Sequence, residues 1–152
     1  MAHEEARGIL RGLEYAHRHG LSAHHVSLSD AHPQGLHLAD FNRRFSRLCD
    51  NLRRANLRWD HYVSALGCNE RTGRLHRHVV AIGGPSLSSA VLNEHAARVG
   101  LGNIVVRPIK ATKADRARRA NYVAHNGLHF AVVHAGLMQR IQPFTRSRTP
   151  RR

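Results

Sequence analysis

Gly73-Arg74-Leu75-His76-Arg77-His78-Val79-Val80-Ala81-Ile82-Gly83-Gly84 is the stretch on which the reading of the fold turns. β-Branched residues cluster toward its end and a Gly-Gly-Pro stop follows, so Leu75 to Ile82 is predicted as a strand. Side chains alternate faces along a strand, which points His76 and His78 the same way with Cα atoms roughly 6.5 to 7 Å apart. Two imidazoles at that separation can converge on one ion, so the pair is a candidate metal site. In a chain with 14 histidines such a pair needs support from elsewhere.

Working outward, Gly67 to Gly73 reads as a turn, and Arg58 to Leu66, with Trp59, Tyr62 and Val63, as the strand paired through it. Before that hairpin, Leu38 to Ala55 is the clearest helix. Leu38, Phe41, Phe45, Leu48 and Leu52 form its apolar stripe, leaving Arg43, Arg44, Arg47, Arg53 and Arg54 for the other side. Ser22 to Ser29 reads as a first strand. Residues 2–19 form a leading helix through Ile9, Leu10, Leu13 and Ala16, stopped by Gly20.

After the hairpin, Ser86 or Ser88 caps a helix running to about Val99. Asn103 to Lys110 is a fourth strand, and Pro108 inside it calls for an edge position or the strand's end. Thr112 to about Asn126 is a further helix, opened by a Thr112/Asp115 variant of the capping box. Residues 128–134 are expected to add a short strand. The division expected is a leading helix over 1–20, a main domain over 21–135, and a basic, disordered tail over 136–152. After the leading helix the order is β-α-β-β-α-β-α. That order predicts an α+β, ferredoxin-like antiparallel sheet with helices packed on one face, the first and third strands being its central pair.

At 152 residues, 41% of them hydrophobic, the chain suits one domain with a real core. No apolar run approaches the ~20 residues of a membrane span, and the opening residues lack the apolar region of a signal peptide. With two cysteines, Cys49 and Cys68, these features point to the cytoplasm and to packed thiols. The balance of 24 Lys and Arg against 10 Asp and Glu gives +14. Such an excess repels itself unless a polyanion offsets it, and nucleic acid is the ordinary one.

The helix after Thr112 carries a second informative cluster. Residues three and four apart share a helix face, and around Tyr122 that face holds Arg118, Arg119, His125 and Asn126. A tyrosine among cations can attack phosphorus and form a covalent phosphotyrosine. An interfacial tyrosine with its hydroxyl in water is the ordinary alternative. Arg118 and Arg119 are expected to hold phosphate, with Lys110, Lys113 and Arg74 as further nucleic-acid contacts.

His76-Arg77-His78 after Arg-Thr-Gly-Arg-Leu, then Val105-Val106-Arg107-Pro108-Ile109, then Ala120-Asn121-Tyr122-Val123-Ala124-His125, resembles the HUH endonuclease family. The resemblance covers about Ser22 to Phe130 and is strongest to rolling-circle replication initiators. It implies metal-dependent nicking and joining of single-stranded origin DNA through a 5′-phosphotyrosine. It also implies His76 and His78 as ligands of Mg2+ or Mn2+, and Tyr122 as nucleophile. Glu70 is then the nearest substitute for the family's third ligand, and His125 replaces a lysine as proton donor or phosphate contact. An imidazole-rich set moves preference from Mg2+ toward Mn2+ or Zn2+.

The chain departs from the family at Arg77, where a hydrophobic residue is usual, at Gly67, where a ligand carboxylate is common, and at His125. No Gly-x-x-x-x-Gly-Lys-Ser/Thr loop is present, so unwinding would need a separate helicase. Two alternatives stand beside this reading. One is a non-catalytic basic module on the same fold. The other is a relaxase-type mobilisation nuclease, for which Tyr15 is the only suitably placed tyrosine.

Overall fold

The structure is a computed structural model, and it describes residues 2–32, 37–69, 71–133 and 144–146. The elements run α1 (Ala2–Arg18), β1 (Ala23–Asp30), α2 (Leu38–Arg54), β2 (His61–Cys68) and β3 (Leu75–Ile82). They continue α3 (Ser89–Ala97), β4 (Leu101–Pro108), α4 (Lys113–Val133) and β5 (Phe144–Arg146). The strands form one antiparallel sheet in the order β4-β1-β3-β2-β5, so β1 and β3 are neighbours at its centre. This is the α+β, ferredoxin-like arrangement that the element order predicts.

Alternation along β3 divides the core in two. Leu75, Val79 and Ala81 face a cluster built from Phe41, Phe45, Leu48 and Leu52 of α2 with Leu92 and Ala96 of α3. Thus α2 and α3 share one face, as expected. Val80 and Ile82 face the other way, toward Ile9, Leu13 and Ala16 of α1 and Ala120, Val123 and Ala124 of α4. Helices therefore cover both faces. The second pair sits there because β2 and β3 present small or apolar residues, Ala65, Val80 and Ile82, on that side as well.

Local chemistry sets most boundaries. The Ser88 hydroxyl accepts the Val91 backbone N–H at 3.2 Å and caps α3. Thr112 Oγ1 accepts the Asp115 N–H at 3.2 Å, while Asp115 Oδ2 accepts the Lys110 N–H at 2.8 Å, which fixes the entry to α4. Pro108 closes β4 on the edge of the sheet, so its missing N–H removes no ladder bond.

Two expectations about element extents change. Residues 128–133 continue α4 rather than forming a strand, because Gly127, though a weak helix former, lowers helix stability by only about 1 kcal/mol and does not block the helix. Phe144–Arg146, placed in an unpaired tail by the sequence, pair with Val63–Ala65 of β2. Residues 134–143 and 147–152, which include residue 134 of the expected strand and most of the expected tail, lie outside the described residues.

Candidate functional site

His76 and His78 lie on the β3 face that looks toward α4, with ring centroids 5.0 Å apart. Across the hairpin, Gly67 of β2 is the register partner of His76. A Cβ at Gly67 would fall 2.2 Å from His76 Nε2, so the imidazole rests where any side chain on Gly67 would stand. A ligand carboxylate of the kind the resemblance leads one to expect at residue 67 is therefore not merely missing. Its position is the seat of a histidine.

From the other neighbour, β1, His25 joins the pair. Its Nε2 is 3.0 Å from His78 Nδ1, which also lies 3.2 Å from Ser27 Oγ. Burial drives the histidines toward their neutral forms. His78 is pulled down to about 3 by desolvation and by His25 and His76, with Asn126 opposing them. His25 falls to about 4 by desolvation and by Arg119 and Arg107. His76 is lowered by desolvation, with Asn126 opposing it.

Tyr122 projects from α4 over these rings. Its centroid is 5.1 Å from His78 and 5.7 Å from His25, edge-on to both, and half of its surface remains exposed. His25, Ser27, Val105, Arg107, Arg118, Arg119 and Tyr122 line an open cleft of about 580 Å³. Arg107 stands opposite His25 in the β1–β4 ladder. Arg119 Nη1 reaches His25 Nδ1 at 3.1 Å, and Arg118 is paired with Asp115 on its own helix. Three guanidiniums beside a phenol and neutral imidazoles suit an anionic, phosphate-bearing ligand.

The other expected residues fall elsewhere. Lys110 is exposed and lines a second cavity of about 220 Å³ between α1 and the end of β4. Lys113 is exposed at the first residue of α4, and neither lysine lines the cleft. Arg74 is held against Asp30, with Nη1 3.9 Å from Oδ1, and is likewise outside the cleft. His125 is exposed one turn beyond Tyr122. Tyr15, the relaxase-type candidate, stacks near His19 and His61 rather than over His25 and His78, and His76 and His78 themselves lie behind the cleft lining. Glu70 lies outside the described residues.

Three contributors escaped the sequence reading: His25, Arg107 and the space at Gly67. The signal for His25 was faint but present, since period-two counting along Ala23–Asp30 puts His25 and Ser27 on one face. Arg77 points the opposite way, into the α2 layer. Its Nη1 donates to Ser64 Oγ at 2.8 Å, its Nη2 to Asn42 Oδ1 at 2.6 Å, and its guanidinium lies 4.5 Å from the Phe45 ring. Both cysteines are free and partly buried.

By residue type, His76 and His78 fit a divalent ion: both are driven neutral, they share a face, and the buried Nε2 of His78 makes no well-formed hydrogen bond. Among the described residues no three His, Cys, Asp or Glu side chains gather as a metal-holding group.

No protein-family model matches the chain, and no curated protein does. Among solved structures, the chain is similar to the crystal structure of the hypothetical protein ORF119 from Sulfolobus islandicus rod-shaped virus 1. The TM-score is 0.55 at 12% identity, covering 77% of this chain and 92% of that one. At that identity the likeness speaks for the fold alone.

Proposed function

We propose that the protein nicks and rejoins single-stranded DNA, such as a replication origin, through a covalent phosphotyrosine on Tyr122. The observation that carries this reading is the Tyr122 ring, half-exposed and 5.1 Å from the His78 ring, at the wall of a cleft with three arginines. In the step proposed, the Tyr122 oxygen bonds to phosphorus as the bond from phosphorus to the 3′-oxygen breaks. The phenolic proton passes to solvent water at the half-exposed Tyr122, and the departing 3′-oxygen takes up a proton, with His125 as the candidate donor. Attack by that 3′-hydroxyl on the phosphotyrosine reverses the step and rejoins the strand.

Arg107, Arg118 and Arg119 hold the phosphodiester and offset its charge as the transition state forms. His76 and His78 would hold the divalent ion, Mg2+ or Mn2+, whose Lewis acidity polarises the scissile phosphate when bound. Strand separation falls to a separate helicase. No described helix is long and apolar enough to cross a membrane.

The test is incubation with single-stranded oligonucleotides and Mn2+, followed by a denaturing gel. The expected result is a protein–DNA adduct that chelator abolishes and Tyr122→Phe does not form. An adduct formed equally by Tyr122→Phe removes Tyr122 from the nucleophile role. A second reading, DNA binding without cleavage in the same cleft, is favoured by the His76 ring resting against Gly67, which leaves no room there for a ligand carboxylate. It predicts salt-sensitive binding and no adduct under any metal.

A further inference from the structure

The hydrogen bonds behind Tyr122 dictate where protons reside. A guanidinium can only donate, so the 3.1 Å contact from Arg119 Nη1 makes His25 Nδ1 an acceptor. Neutral His25 then carries its proton on Nε2 and donates it across 3.0 Å to His78 Nδ1. With Nδ1 accepting, also within 3.2 Å of the Ser27 hydroxyl, neutral His78 must carry its own proton on Nε2. That nitrogen is buried in a residue only 6% exposed and makes no well-formed hydrogen bond, although the Asn126 side chain stands close enough to act on the ring. An orphaned buried donor is unfavourable and calls for an acceptor.

We propose that Arg119 and His25 are positioning residues that fix the proton of His78 on Nε2, so that the resting site offers a phosphate oxygen a donor. A divalent ion needs the opposite form of His78, with a lone pair on Nε2 and the proton on Nδ1. That form sets His78 Nδ1–H against His25 Nε2–H. Relief requires His25 to shift its own proton to Nδ1, where it meets the Arg119 donor. Loading of a cation at His78 is therefore coupled to release of the Arg119–His25 contact.

The use made of this donor rests on the nicking reading, but the proton positions are measurable without DNA, so the two can fail separately. Long-range nitrogen–proton NMR of the full chain, labelled at histidine and held in chelator, reads which nitrogen of each ring is protonated. The expected spectrum has His25 and His78 both protonated at Nε2. Arg119→Met should give mixed tautomers at both. Arg118→Met, which removes a charge from the same helix without touching His25, should leave the pattern unchanged. A wild-type His78 protonated at Nδ1, or an Arg119→Met spectrum like the wild type, overturns the proposal.

Titration with Mn2+ alone, followed by paramagnetic broadening, supplies the second readout. Arg119→Met should bind about tenfold more tightly than Arg118→Met, matching the loss of one charge-assisted hydrogen bond. Equal affinities overturn the coupling. If Arg119→Met fails to fold, His25→Gln keeps a donor toward His78 Nδ1 and should preserve the His78 tautomer. A tautomer that changes in His25→Gln counts against the chain of contacts.

Discussion

Gly67 is small because of what lies across the hairpin. The far end of the His76 ring occupies the volume that a Cβ would take, with Nε2, Cε1 and Cδ2 at 2.2, 2.7 and 2.8 Å from it. Gly67→Ala should therefore displace a side-chain tip rather than backbone. The expected change in unfolding free energy is within about 1 kcal/mol, while the adduct yield falls about a hundredfold, the effect of moving a reacting group by an ångström. Chemical denaturation and the adduct gel measure the two separately. A yield equal to the wild type would mean that the seat of His76 has no bearing on the chemistry.

At the scale of elements, β3 serves both layers at once, because its even-numbered residues face α4 and its odd-numbered ones face α2. Arg77, set between two site histidines in sequence, is a packing residue of the opposite layer. Burial lowers its pKa to about 10, leaving it charged at neutral pH. Its stem and guanidinium fill space beside Phe41 and Phe45. Arg77→Ala should open a cavity and leave Asn42 and Ser64 without their donor, lowering stability by about 3 kcal/mol. Arg77→Met keeps much of the volume and removes a buried charge, so its loss should be only about 1 kcal/mol. Urea unfolding distinguishes them, and equal losses would show that the charge, not the volume, holds α2 on the sheet.

For the whole molecule, the +14 charge becomes specific only through its distribution. Arg107, Arg118 and Arg119 meet on the α4 side, whereas exposed Arg47 belongs to α2 on the other side of the sheet. Each phosphate neutralised on a single strand contributes about −0.7 to the slope of log affinity against log salt. Arg107→Ala should flatten that slope by about 0.7, and Arg47→Ala should leave it unchanged; equal slopes for both would mean that DNA ignores the cleft. The sequence by itself determined the order of elements as far as the start of α4 and the shared face of His76 and His78. Both follow from periods of two and 3.6 along the backbone, which are local. Only the tertiary structure decided that α4 covers that face, that His25 completes the cluster, and that Gly67 seats His76. Those outcomes depend on residues far apart in the chain, 53 positions for His25 with His78 and 94 for Arg119 with His25. No local period carries such pairings, because they exist only once the sheet is assembled and its two faces are filled.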